Sequence, residues 1–157
     1  MAQYRFQQQY LERLRQQQIS IDNERNYNYS GDPFFYTPPS YRYLRSGNYY
    51  ETNQYGADLL RRSVNYGYEE GFRAGKADRE DRWASSYRNS YAYQDANYGY
   101  DGFYVSRDDY NHYFREGFQR GYEDGYDSRH QYGSYSNGNY SILSDVLSAI
   151  LNFQSLR

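Results

Sequence analysis

Glycine returns at every fourth residue in two stretches of the chain, at Gly67, Gly71 and Gly75 and again at Gly117, Gly121 and Gly125. Four residues are slightly more than one helical turn, so each trio lies on a single, slowly drifting helix face. One residue beyond each glycine runs a row of large side chains: Leu60, Val64, Tyr68 and Phe72 in the first stretch, and Tyr110, Phe114, Phe118, Tyr122 and Tyr126 in the second. A helical glycine costs roughly 0.8–1 kcal/mol relative to alanine, so six of them give up on the order of 5 kcal/mol. Close approach is the offset that the pattern implies. A helix face without Cβ atoms admits a neighbouring backbone or ring, and rings of one helix are expected to lie in the glycine groove of the other. Acid-first pairs four residues apart, Glu69 with Arg73, Asp78 with Arg82 and Glu116 with Arg120, favour the helical reading over a glycine-broken loop.

The two stretches also resemble each other. Aligned at an offset of 46 residues, 56–78 and 102–124 share eight of 23 positions, none of them tyrosine: Gly56, Arg61, Asn65, Glu70, Gly71, Phe72, Gly75 and Asp78 match Gly102, Arg107, Asn111, Glu116, Gly117, Phe118, Gly121 and Asp124. The first helix is read from about Thr52 to Ser86 and the second from about Ser106, its N-cap, to Ser128.

Aliphatic residues are scarce. Leu, Ile, Val and Phe together number 24 of 157, a level at which a packed core is in question. The 25 tyrosines restore the case for one, because each ring can be buried while its hydroxyl finds a partner or water. The expected fold is therefore mainly α: an internally duplicated helical hairpin with Gly-x-x-x-Gly-x-x-x-Gly stripes, extra N- and C-terminal helices and long Tyr-rich loops.

Around the repeat domain, 52–130, four further segments are expected. Residues 1–20 form an amphipathic helix on Phe6, Tyr10, Leu11 and Leu14. Residues 21–51 hold all three prolines, Pro33, Pro38 and Pro39, and read as an irregular arm whose Phe34, Phe35, Tyr36, Tyr41 and Tyr43 wrap over the rest. Residues 131–139 read as a linker. Residues 140–157 carry a helical apolar stripe, Ile142, Leu143, Val146, Leu147, Ile150 and Leu151, suited to core packing or to self-association.

Catalytic and metal signatures are missing from the sequence. Without cysteine there is no thiolate site, and His112 and His130 lie eighteen residues apart without a ligand motif. Adjacent acids such as Glu69-Glu70, Asp108-Asp109 and Glu123-Asp124 point in different directions on a helix, which reads as solvated faces rather than acid–base pairs. Asp124-Gly125-Tyr126-Asp127 lacks the alternating ligands of a calcium loop. The chain is therefore expected to be no enzyme and to need no catalytic residue, cofactor or metal. A formal charge of −2, with acids interleaved among the arginines, weighs against nucleic acid. No apolar run is long enough to span a bilayer.

The run Ala96-Asn97-Tyr98-Gly99-Tyr100, then Ser106-Arg107-Asp108-Asp109-Tyr110, then Tyr113-Phe114-Arg115-Glu116-Gly117-Phe118-Gln119-Arg120-Gly121-Tyr122-Glu123-Asp124-Gly125-Tyr126 resembles an uncharacterised family of Tyr/Gly-rich secreted proteins from environmental bacteria such as Acidobacteria. The resemblance spans roughly residues 60–130 and implies an exported bacterial protein without implying an activity. Met1-Ala2-Gln3-Tyr4 reads in the same direction, as a methionine placed before a mature terminus left by signal cleavage. A secreted or periplasmic location is thus expected, with a cytoplasmic one left open. The expected function is a structural or interaction protein of the envelope or matrix that forms homo-oligomers through Gly/Tyr helix packing. The alternative is a small module that stacks carbohydrate, such as envelope or matrix polysaccharide, or other flat ligands on exposed tyrosines.

Overall fold

A computed structural model of the chain describes residues 1–24, 38–102 and 104–156. Its order is α1 (Ala2–Glu24), β1 (Tyr41–Arg45), β2 (Asn48–Thr52), α2 (Gln54–Glu80), a 3-10 turn (Tyr87–Asn89), α3 (Tyr91–Asp95), α4 (Arg107–Asp127), β3 (Gly133–Ser136), β4 (Asn139–Ile142), α5 (Ser144–Leu151) and β5 (Gln154–Ser155). The fold is mainly α, as the periodicity implies, with small antiparallel additions.

Helices α2 and α4 form the centre, and their facing surfaces explain why glycine occupies these positions. A Cβ added at Gly67, Gly71 or Gly75 would stand 2.0, 2.1 or 2.2 Å from the carbonyl oxygen of Phe114, Phe118 or Tyr122. In return, a Cβ at Gly117, Gly121 or Gly125 would stand 2.0, 2.0 or 2.1 Å from the carbonyl oxygen of Val64, Tyr68 or Phe72. Backbone therefore meets backbone. The sequence suggests rings lying in a glycine groove; instead the rings flank the contact, where Phe114, Phe118, Tyr122 and Tyr126 stack in succession along α4 at centroid distances of 6.3, 6.4 and 6.0 Å.

Two aromatic clusters result, one on each side of this helix pair. The first joins Phe6, Tyr10, Leu59, Tyr110, Phe114, Phe118 and Tyr122, and is covered by α1 and the 87–100 segment. The second joins Tyr43, Leu60, Val64, Tyr68, Phe72, Tyr113, Ile142 and Leu151, and is covered by the hairpins and α5.

Burying tyrosine requires a partner for each hydroxyl, and carboxylates supply most of them. Tyr10 donates to Asp95 at 3.0 Å, Tyr68 to Asp124 at 2.7 Å, Tyr43 to Asp109 and Tyr122 to Asp78. Burial, reinforced by these neighbouring acids, raises the pKa of all four phenols. Tyr113 is pushed up to about 12, chiefly by burial, and its hydroxyl has no hydrogen-bond partner among the described residues.

Several segments depart from the sequence reading. The 131–139 linker is largely the β3–β4 hairpin, and the described part of the 21–51 arm holds the β1–β2 hairpin. Each hairpin turns through two left-handed residues, Ser46-Gly47 (φ 53 and 84°) and Asn137-Gly138 (φ 52 and 83°), the mirror-image turn that matches strand twist. Strand β5 adds to β1, giving the order β2-β1-β5. The wrapping role of Phe34, Phe35 and Tyr36 lies outside the described residues. Helix α1 continues to Glu24 rather than stopping at residue 20, and α2 ends at Glu80 rather than Ser86. At the C-terminus Ile142 belongs to β4 and Leu143 precedes α5, so the helical stripe is split. Ile142 and Leu151 are buried, Val146, Leu147 and Ile150 pack partly against the second cluster, and Leu143 is exposed.

Candidate binding cleft

Asp81, which closes the C-terminal end of α2, docks the start of α1. Its carboxylate accepts the backbone N–H groups of Ala2 at 2.6 Å and Gln3 at 2.8 Å, two donors that a helix N-terminus leaves unsatisfied. The hydrogen bond from Gln3, followed by that from Ala2, holds the Asp81 carboxyl below the usual carboxylate range against the opposing effect of burial. A depressed folded pKa stabilises above the unfolded value and loses that contribution as pH falls through the folded one. Docking of α1 is therefore expected to loosen as pH drops below about 4. Asp81→Ala should show the same loosening at neutral pH, read as faster hydrogen exchange of α1 amides with α2 still protected.

The chain then leaves α2 through Arg82, which takes the left-handed conformation (φ 59°). Arg82 N–H donates to the Arg79 carbonyl at 3.1 Å and Trp83 N–H to the Asp78 carbonyl at 2.9 Å, a Schellman closure that fixes where Trp83 emerges. Beyond it, the hydroxyl of Tyr122 accepts Ser86 N–H at 3.0 Å, tying the returning segment to α4. The 3-10 turn and α3 follow, bringing Ser90 and Tyr91 back beside α1.

These turns enclose a cleft of about 540 Å³ between the start of α1, the end of α2 and residues 83–94. Three exposed rings border it: Tyr4 (62% exposed), Trp83 (52%) and Tyr91 (42%). Between them stand the polar side chains of Gln3, Gln7, Asn89, Gln94, Ser86, Ser90 and Asp78. Gln3 is committed, donating to the Ala74 carbonyl at 3.2 Å and to Asp78, and Gln94 donates to the Arg88 carbonyl at 3.1 Å. Ser90 is buried, and its Oγ has no hydrogen-bond partner among the described residues. Asp78 is also buried, and the loss of solvent raises its pKa against the lowering effect of the Tyr122 and Gln3 hydrogen bonds.

A second groove of about 320 Å³ runs beside α4, bordered by Arg45, Asp108, His112, Arg115 and Glu116. Its guanidinium groups are already engaged, Arg45 by Asp109 and Arg115 by the carbonyls of Tyr93 at 3.0 Å and Gln94 at 2.6 Å. Burial lowers the pKa of His112.

The sequence-derived residues sit elsewhere. Tyr68, Phe72, Phe114, Phe118 and Tyr122 are core, Tyr126 is partly buried, and the six glycines face the partner helix of the same chain. Glu70 is buried under Arg13 and Arg73, and Asp124 under Tyr68 and the start of β3. Among the described residues no group of three His, Cys, Asp or Glu is placed to share a cation, and no helix is long and apolar enough to cross a membrane. Sequence reasoning does not find the cleft residues, because Tyr4 lies about eighty residues before the 83–94 segment that carries Trp83 and Tyr91, and the helix read as running to Ser86 hides the exit at Arg82. No protein-family model matches the chain, and neither a curated protein nor a solved structure matches it.

Proposed function

We propose that this chain is a small non-catalytic binding module that takes carbohydrate in the cleft between Tyr4, Trp83 and Tyr91. The observation that carries this reading is the convergence of three exposed rings on one cleft whose other polar side chains are amides, hydroxyls and the single carboxylate of Asp78. A pyranose presents apolar C–H faces and a rim of hydroxyls. Stacked on a tyrosine or tryptophan face it buries both apolar surfaces, while side chains such as Gln7, Asn89 and the Ser90 hydroxyl offer hydrogen bonds to the rim.

Supporting this cleft is a scaffold that we read as an internally duplicated helical hairpin with paired glycine stripes. Residues fifty apart exchange roles across it: Gly67 faces Phe114 as Gly117 faces Val64, and Gly75 faces Tyr122 as Gly125 faces Phe72. In this reading the stripes serve packing within one chain. Self-association would then have to use other surface, such as the exposed cross-strand pair Leu44 and Tyr49 on the first hairpin.

Trp83 is the sole tryptophan, so its emission reports on the cleft alone. Titration with β-1,4-linked cello-oligosaccharides and N-acetylated chito-oligosaccharides is expected to give a saturable change in that emission, and Tyr4→Ala to weaken the binding by about tenfold, or 1.4 kcal/mol. Emission that stays flat for both series into the millimolar range would overturn the proposal.

A further inference from the structure

Four acids are buried among the described residues, Glu70, Asp78, Asp109 and Asp124, and three of them have a cation at hand. Glu70 holds Arg13 and Arg73, Asp109 holds Arg45, and Asp124 has Arg129 at 3.8 Å. Asp78 differs. Its described partners are neutral, the hydroxyl of Tyr122 and the amide of Gln3, and its acidic neighbour Asp81 adds negative charge. Burying a carboxylate without a counter-charge is costly, and Asp78 is the one of the four that borders the cleft.

The cleft itself provides no remedy. Among the described residues lining it there is no lysine, arginine or histidine, and the Met1 ammonium is held by Asp81 at 3.3 Å. Ser90, 8% exposed, borders the same space with a hydroxyl that no described residue engages. Aromatic faces beside an uncompensated carboxylate form a site that favours a cation, through the ring quadrupoles and the charge together.

Building on the carbohydrate reading above, we infer that the sugar this cleft selects is an amino sugar with a free amine, its ammonium supplying Asp78 with its counter-charge while the pyranose rings stack on Trp83 and Tyr4. Uronic, sulfated and phosphorylated sugars are disfavoured by the same carboxylate. The amine is worth more here than on an open surface, because the group it pairs with is already desolvated.

The test compares three tetrasaccharides of one linkage, read through Trp83: β-1,4-linked glucosamine, its N-acetylated form and cellotetraose. The free-amine oligomer is expected to bind about tenfold tighter than the other two. Asp78→Asn, its fold checked by urea unfolding, should bring the affinity of the free-amine oligomer to within about twofold of that of the other two. Equal affinity for all three in the wild type overturns the inference and leaves the carbohydrate reading standing, as does an amine preference that survives in Asp78→Asn. Silence from all three overturns both. The wild-type comparison decides the matter by itself where Asp78→Asn does not fold.

Discussion

Gly121→Ala is expected to destabilise the protein by about 3 kcal/mol or more, a loss of roughly 6–12 °C in melting temperature for a chain of this size. Helix propensity points the other way, since alanine is favoured over glycine by roughly 0.8–1 kcal/mol in a helix interior. What decides the sign is the neighbour. A Cβ at this position would fall 2.0 Å from the Tyr68 carbonyl oxygen, 2.8 Å from its carbon and 2.9 Å from the Phe72 amide nitrogen, all three of them backbone atoms within α2. A flexible side chain could swing aside, whereas a helix can only move as a body. Separating α2 from α4 would open the contacts at the other five glycines and loosen both aromatic clusters together. Gly71→Ala, 2.1 Å from the Phe118 carbonyl oxygen, is expected to cost a similar amount, and leucine at either position to prevent the helices from pairing. The double variant should cost less than the sum, because helices already forced apart accommodate the second methyl. Denaturant unfolding reads all of these, and an alanine variant as stable as the wild type would mean that the helices do not meet as described.

The central helices are legible because a period of four, aromatic neighbours and charge pairs all agree. Their register is less so. The identities align best at an offset of 46 residues, whereas the contacts exchange roles at fifty, and the difference is one step of the glycine period, which a pattern of that period cannot resolve by itself. The hairpins escape the reading for another reason. Asn137-Gly138 is a strong turn signal, but its flanks, Gly-Ser-Tyr-Ser and Asn-Tyr-Ser-Ile, lack the aliphatic alternation that marks a strand. Their stability comes from aromatic cover: Tyr140 stacks on Phe72 at 4.2 Å, and Gly133 sits where a Cβ would be 2.3 Å from the Tyr68 ring. The end of α2 carries no glycine or proline to mark it, since Arg82 takes the left-handed position. The cleft is invisible for a geometric reason, because its rings come from positions 4, 83 and 91 and meet only when Asp81 has captured the start of α1.

Asp124 shows how a chain so poor in aliphatic residues fixes its second half, and its removal is expected to be among the most damaging changes of a polar group. The side chain is fully buried. Oδ2 accepts the Tyr68 hydroxyl at 2.7 Å and Tyr132 N–H at 2.8 Å, and Oδ1 accepts Gln131 N–H at 3.2 Å. One carboxylate therefore joins α4 to a ring of α2 and to the backbone entering β3, while Arg129 stands 3.8 Å away as the nearby cation. Asp124→Ala strands three donors and a cavity at once, and is expected to cost about 3–5 kcal/mol. Tyr68→Phe removes one donor from an acceptor that keeps its other two, and should cost only about 1 kcal/mol. In the Asp124→Ala background the same Tyr68→Phe change should be close to neutral, since the hydroxyl it deletes no longer has a carboxylate to reach. Urea titrations of the four proteins close this cycle. Additive losses would show that the Tyr68 hydroxyl and Asp124 act independently, leaving the Gln131 and Tyr132 N–H groups as what the carboxylate secures.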